Sequence, residues 1–258
     1  MSNNIDLKKG LNIPIRGAAA LALKKTIAPD VVAVKPTDFK GFSPRLLVKE
    51  GDAVKAGSPV MADKRNADIL LCAPVSGTVQ SIVRGEKRKL LALVVKADGQ
   101  NTCVDFGAED PTGLDAGAIK EAILNCGLWP SIVERPYGIV ADPNGKPKAI
   151  FVSAFNTAPL AADPDFAFSD DFEAIQAGIT AVSKLSEGGV HVCVNRADSL
   201  FCKLQDATIH LVNGDKHPAG NVGVQISHIS PIRKGETVWT LSLLSRSEER
   251  RVGKECRL

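Results

Sequence analysis

Aromatic side chains are scarce: phenylalanine, tryptophan and tyrosine make up 5% of the 258 residues, against 22 glycines and 15 prolines. That balance points to many short strands and turns in at least part of the chain. The six cysteines, at positions 72, 103, 126, 193, 202 and 256, contain no Cys-x-x-Cys, and the closest pair is nine residues apart. Sequence-local iron–sulfur or zinc ligation is thereby excluded. Cys193 lies in the apolar run Val190-His191-Val192-Cys193-Val194, where a buried inert thiol is the ordinary outcome. The cysteines read as reduced and structural. No apolar run approaches the length of about 18 residues that a membrane-spanning helix needs. Met1-Ser2-Asn3-Asn4-Ile5-Asp6 lacks the charged and apolar regions of a signal peptide, so the chain reads as cytoplasmic. A net charge of +3 is too small to argue for nucleic acid.

What is present divides into two textures. With 44% hydrophobic and 24% charged residues, the chain is an ordinary soluble one with room for two domains. Its most informative stretch runs from residue 48 to residue 79. Val48-Lys49-Glu50-Gly51-Asp52-Ala53-Val54-Lys55-Ala56-Gly57 and Ala73-Pro74-Val75-Ser76-Gly77-Thr78-Val79 are two glycine-punctuated blocks of β-formers, a hairpin length apart. They predict a barrel-sandwich of the biotinyl/lipoyl carrier type. Further strands are expected at Val31–Val34, Arg45–Val48, Val60–Ala62, Asp68–Cys72, Gly77–Val83 and Leu90–Val95, with turn residues between them. Ile5–Arg16 holds a Lys9-Gly10 turn between short apolar stretches, and Arg84-Gly85-Glu86-Lys87-Arg88-Lys89 reads as a solvated hairpin tip.

Beyond residue 112 helices alternate with strands. Asp115–Cys126 carries apolar residues at helical spacing and stops at Gly127; Ala149–Ala154 reads as a buried strand. Asp171–Leu185 is a second helix, with Asp170 and Glu173 in the pattern of a capping box and Gly188-Gly189 as its end. Strands at Val190–Val194 and Thr208–Val212 follow, and Val238–Leu241 is a strand or helix. The alternation predicts a parallel, Rossmann-like sheet. The expected organisation is a barrel-sandwich domain over 1–105, a Rossmann-like α/β domain over 112–245, and a charge-dense, non-native tail over 246–258.

Three candidate chemistries arise. A carrier lysine belongs at the hairpin tip about seven residues before Ala73-Pro74, but that count lands on Asn66; Lys64 is two positions early. The carrier fold is retained and the carrier function lost. A nucleotide site would need a glycine-rich strand–helix turn. The turn after Ala149–Ala154 reads Phe155-Asn156-Thr157-Ala158-Pro159-Leu160, and the chain has no Gly-x-Gly-x-x-Gly. NADH or FMN binding through that motif is not expected. Third, Asn213-Gly214-Asp215-Lys216-His217-Pro218-Ala219-Gly220 follows a strand, where ligands of open α/β sheets gather. His217 there is either a proton-shuttling or carbonyl-binding group or part of a structural turn set by Pro218 and Gly220. His228 is expected near it, whereas His191 and His210 read as satisfied core histidines.

Taken together, these segments resemble the NqrA family of the Na+-translocating NADH:quinone oxidoreductases. The resemblance is carried by Leu7-Lys8-Lys9-Gly10-Leu11-Asn12-Ile13-Pro14-Ile15, Val48–Asp63, Ala73-Pro74-Val75-Ser76-Gly77 and Arg84-Gly85-Glu86-Lys87-Arg88. Gly127-Leu128-Trp129, Arg135-Pro136, Ala149–Ala154 and His217-Pro218-Ala219-Gly220 follow in family order, over residues 5 to 244. The family implies a cytoplasmic subunit, peripheral on the inner membrane, of a six-subunit Na+-pumping complex. NADH, FAD, FMN and the iron–sulfur centres would belong to other subunits. This chain would hold no redox cofactor and no metal, contain no catalytic residue, and assist the quinone-reducing end beside a membrane subunit. His217, Pro218, Ala219, Gly220 and His228 are its candidate quinone- or partner-facing residues. Two rivals stand beside this: a fragment of the related RnfC protein of the Rnf-type electron-transport complexes, and a biotin or lipoyl carrier module.

Overall fold

In a computed structural model, residues 3–13, 15–17, 20–22, 28–107, 109–214 and 216–243 are described. They gather into two compact units. One holds the described residues of Met1–Lys24, Asp110–Ala116 and Asn144–Arg246; the other holds those of Lys25–Glu109 and Gly117–Pro143. The expected non-native tail lies outside the described residues.

Strand β1 (Asn3–Asp6) opens the chain, followed by β2 (Val31–Val34), β3 (Pro44–Leu46), β4 (Ala53–Val54), β5 (Pro59–Asp63), β6 (Leu70–Cys72), β7 (Gly77–Arg84) and β8 (Leu90–Ala97). β2, β8, β7 and β4 form an antiparallel sheet in that order, and β3, β5 and β6 form a second. This is the barrel-sandwich hybrid the glycine-punctuated blocks predict. Val60, Met61, Leu71, Val79, Leu93 and Val95 bury their side chains in it. Gly77 shows why the second block needs its glycine. A Cβ at that position would lie 2.0 Å from the Lys96 carbonyl oxygen, a backbone atom fixed in the β7–β8 ladder.

The same unit takes up helix α1 (Ala116–Asn125) and the antiparallel pair β9 (Val133–Arg135) and β10 (Ile139–Val140). Ile119 and Ile123, one turn apart, are buried. Gly127 ends α1 at φ +71°, and a Cβ there would sit 2.4 Å from Cys72 Sγ. Trp129 is fully buried and its indole N–H donates to the Ala141 carbonyl at 2.8 Å. The Gly127-Leu128-Trp129 motif is therefore a packing device: the glycine permits close approach to β6, and the indole follows into the core.

The other unit contains β11 (Ile150–Ser153), α2 (Pro164–Ala167), α3 (Phe172–Ser183), β12 (Val190–Val194), β13 (Ala207–Asn213), α4 (Val222–Ile229) and β14 (Val238–Ser242). Its strands run parallel in the order β1-β13-β12-β11-β14. Ile150, Phe151, Val152, Val190, Val192, Cys193 and Val194 are all buried, the near-continuous apolar strand that a sheet covered on both faces requires. Strands β11, β12 and β13 step in one direction, and β14 lies on the opposite side of β11. The order therefore reverses between β11 and β14, the topological switch point of a Rossmann-like sheet.

Three features differ from the sequence reading. The cut between residues 100 and 112 is not a clean one, because β1 pairs in parallel with β13, from Asn3 with His210 to Asp6 with Asn213. Ile5 and Leu7 pack on the α/β core formed by Phe155, Cys193, Val212 and Ala219, so burial places this strand rather than its position in the chain. Segment 117–143 conversely joins the barrel-sandwich unit. Finally, the Asp170–Glu173 capping box does not form. Asp163 caps the short α2 by accepting from Asp165 N–H at 2.9 Å, and the chain runs on through a 3-10 turn, Ser169–Asp171, into α3. Asp170 is thus inside a turn, and the N-cap of α3 is Asp171, which makes no side-chain cap bond.

At the far end of α3, the Lys184 ammonium donates to the carbonyls of Pro111, Thr112 and Leu114 at 2.7, 2.9 and 2.6 Å. One cation thereby holds the 3-10 turn Pro111–Gly113 against the helix. Lys184→Met keeps the aliphatic stem and removes all three charge-assisted bonds, so urea unfolding is expected to show a loss of about 2 kcal/mol. An unchanged midpoint would mean that these bonds contribute nothing net.

Candidate functional site

At the carboxyl ends of β11 and β13 the structure brings the sequence-predicted residues 217–220 together with other polar groups. His217, Pro218, Ala219 and Gly220 form the connection from β13 to α4; His217 is exposed and Ala219 is buried against Phe155, Cys193 and Val212. The loop is tied down at both ends. Leu11 N–H donates to the His217 carbonyl at 2.9 Å, and a Cβ on Gly10 would lie 2.6 Å from the same oxygen. Gly220 N–H donates to Thr157 Oγ1 at 3.0 Å.

Gly220 occupies a tight place. A Cβ on it would lie 2.5 Å from Thr157 N and 3.0 Å from Asn156 Cα. Its backbone therefore lies directly on the backbone of the turn that follows β11. In a dinucleotide-binding sheet the turn after the first strand is where glycines let the pyrophosphate approach bare backbone. Here the turn has no glycine, and the protein's own loop covers residues 156 and 157. The loop leaves no bare backbone at residues 156 and 157 for a pyrophosphate to approach.

Beneath the loop sits a neutral polar knot. Gln225, 1% exposed on α4, donates through Nε2 to Ser153 Oγ at 3.0 Å and to the Ala219 carbonyl at 3.2 Å. Ser153 Oγ in turn reaches the carbonyls of Phe155 at 3.0 Å and Gly220 at 3.3 Å. Gln225 Oε1 has no partner. The cluster contains hydroxyl, amide and carbonyl groups and no charge. It can lock the 217–220 loop onto the end of β11, and it contains no ionisable side chain.

His228 makes its hydrogen bonds within its own helix. It stands exposed on the last turn of α4, where its Nδ1 lies 2.9 Å from the Val224 carbonyl and 3.1 Å from Ser227 Oγ. It lies on α4, a helix absent from the sequence reading. Helical geometry directs the imidazole back onto its own preceding turn.

The expectation that His191 and His210 are satisfied core histidines holds for one and fails for the other. Their strands are adjacent, with His191 opposite Thr208 and Cys193 opposite His210, so both rings stand on one face of the sheet. His191 Nδ1 and His210 Nε2 are 2.8 Å apart, and Phe151 stacks on His191 at 4.8 Å between ring centroids. His210 is 1% exposed, and its Nδ1 has no partner. A buried N–H without an acceptor costs more than a buried lone pair without a donor. The favoured tautomer therefore has His210 Nε2–H donating to His191 Nδ1. Burial depresses both imidazoles, His210 to about 4 with the neighbouring His191 adding to the effect. The pair is neutral at physiological pH.

Cys193 agrees with its reading as a structural thiol: burial pushes it up to about 12, far from a reactive thiolate. Among the described residues no three His, Cys, Asp or Glu side chains gather as metal ligands. At the barrel hairpin, Asn66 Oδ1 accepts from Asp68 N–H at 3.1 Å, closing the tip where a carrier lysine would stand. Lys64 lies at the end of the preceding strand, its N–H bonded to the Ser43 carbonyl.

The fold and site together define a two-domain protein: a barrel-sandwich hybrid without its acceptor lysine, and a Rossmann-like α/β domain whose nucleotide turn is covered by its own loop. Family comparison matches residues 5–98 to the NqrA N-terminal barrel-sandwich hybrid domain and residues 114–245 to the NqrA second alpha/beta domain. The chain belongs to the NqrA family. The NqrA protein of the Na(+)-translocating NADH-quinone reductase from Yersinia pseudotuberculosis serotype O:1b is 35% identical over 237 residues, covering 91% of this chain and 53% of the relative. The proteins of the same name from a Marinomonas species and from Rhodopirellula baltica are 35% and 34% identical, over 92% and 90% of this chain and 53% and 52% of their own length. The chain spans about half the length of the curated relatives it matches.

Proposed function

We propose that this chain is part of the NqrA component of a Na+-pumping NADH:quinone reductase, and that it serves assembly and the quinone-reducing end without a redox cofactor of its own. In this reading NADH, FAD, FMN and the iron–sulfur centres are held by other subunits. The chain lies peripherally on the cytoplasmic side of the inner membrane, next to a quinone-reducing membrane subunit. The observation that carries the reading is the contact of Gly220 with the backbone of residues 156 and 157. It uses, for packing within the chain, the surface on which this class of sheet binds nucleotides. Support also comes from the relatives, all named as the same component of that reductase, and from the described residues, in which no helix is long and apolar enough to cross a membrane.

The test is an affinity-tagged full-length protein expressed in its native host. It is expected to co-purify from solubilised membranes with Na+-stimulated NADH:quinone reduction. Recovery as a free protein, with that activity purifying elsewhere, contradicts the proposal. The carrier alternative has a separate readout: coexpression with active biotin and lipoyl ligases is expected to leave the intact mass unchanged. A mass increment on Lys64 would restore the carrier reading.

A further inference from the structure

The β7–β8 hairpin ends in a concentrated positive charge that no described residue of its own unit neutralises through an ion pair. Arg84, Lys87, Arg88 and Lys89 are exposed there with Glu86 as the one acid, a net +3 from four cations less one carboxylate. The whole chain has 32 basic and 29 acidic residues, also +3. Outside this six-residue tip the chain is therefore balanced, with 28 of each sign when the tail over 246–258 is counted. Among the described residues none of the four cations has a carboxylate within ion-pair distance, Glu86 included. The Arg84 guanidinium turns inward instead, donating to the Arg88 carbonyl at 3.2 Å. Lys87 and Arg88 both hold left-handed backbone, at φ +53° and +59°, which lysine and arginine rarely adopt.

Immediately behind the cations stand two exposed aliphatic side chains, Val83 at 41% and Leu91 at 38%. Each strand residue advances about 3.3 Å, so these chains sit one to two residues back from the charges. This order argues against a membrane-inserting element. A membrane-inserting element leads with its apolar residues and leaves its cations at the headgroups; here the cations lead. A protein surface that receives the charged tip in an acidic recess and meets Val83 and Leu91 at an apolar rim fits the order found.

We infer that the Arg84–Lys89 hairpin is a docking element for an acidic, apolar-rimmed surface on another component of the membrane complex. The inference rests on the subunit reading above and deepens it by naming the surface that docks. Electrostatic contact of this kind speeds encounter and fixes the register of the partners, and it weakens with salt because exposed charges are screened over about 10 Å at 0.1 M ionic strength.

The test uses membranes from a strain that lacks this protein and retains the rest of the complex, to which purified full-length protein is rebound. Wild-type protein is expected to rebind saturably and to weaken about tenfold between 50 and 300 mM salt. The combined variant Arg84→Ser, Lys87→Ser, Arg88→Ser, Lys89→Ser is expected to bind at least about tenfold more weakly with a flattened salt dependence, and Leu91→Ser several-fold more weakly. Arg84→Lys with Arg88→Lys keeps the charge and should keep the affinity. Vesicles of phosphatidylglycerol and phosphatidylcholine should retain neither wild type nor variant. Wild-type rebinding that the four serines leave unchanged overturns the inference and leaves the subunit reading standing. Charge-dependent binding to the anionic vesicles overturns it in favour of a lipid surface. Failure of wild-type protein to rebind at all contradicts the subunit reading itself.

Discussion

Replacing Gly220 by valine is expected to destabilise the α/β unit by about 3 kcal/mol or more, the upper range for overpacking, because the colliding atoms are backbone. A Cβ there meets Thr157 N at 2.5 Å and Asn156 Cα at 3.0 Å, and neither can rotate away as a side chain would. Relief requires the 217–220 loop to lift from β11. That breaks the Gly220–Thr157 bond and takes the Gly220 carbonyl from Ser153 and the Ala219 carbonyl from Gln225. Gly223, three residues on in α4, is the internal control: a Cβ there meets nothing within 4 Å. Gly223→Ala is expected to be neutral or stabilising by up to about 1 kcal/mol, from helix propensity. Equal effects of the two substitutions in urea unfolding would contradict a special role for the Gly220 contact.

Acidification supplies the second large effect. His191 and His210 are held below the imidazole value of 6.5, His210 at about 4, mainly by burial. A depressed histidine pKa means that the unfolded chain binds protons that the folded chain refuses. Stability is therefore full above pH 6.5 and falls as pH drops towards the folded value. For His210 alone the loss is about 2 kcal/mol by pH 5 and approaches about 3 kcal/mol near pH 4, at 1.36 kcal/mol per pKa unit. His191 adds in the same direction. The carboxylates held below their usual range, Asp98, Asp110 and Glu236, act below about pH 4.5, so the window from 7 to 5 isolates the imidazoles. Unfolding free energies measured across that window should decline for wild type and flatten for His210→Gln. Parallel profiles for the two proteins would show that the pair does not control acid sensitivity.

The elements legible in the sequence are those specified locally. The two glycine-punctuated blocks give the barrel strands because turn chemistry and alternating β-formers are short-range signals. Ala149–Ala154 and Val190–Val194 read as strands because a parallel sheet covered on both faces buries nearly every residue. The missing acceptor lysine is a matter of counting to Asn66, and the missing glycine turn a matter of reading residues 155–160. What escapes is set by distant partners. Nothing in Asn3–Asp6 announces pairing with residues about two hundred positions away, and α4 hides in a glycine- and valine-containing stretch of modest helix propensity. The site residues Ser153, Thr157 and Gln225 carry no motif; they matter only once α4 lies over β11. His191 and His210 are each visible, but their meeting depends on the register between β12 and β13.

The central claim is that the Rossmann-like domain covers its nucleotide surface with the Gly220 loop. Isothermal titration of NADH, FAD and FMN into the purified protein tests it most directly. No saturable binding of any of the three is expected at micromolar concentrations. Stoichiometric binding of one of them, abolished by substitutions at Ser153 or Thr157 that leave the fold intact, would contradict it.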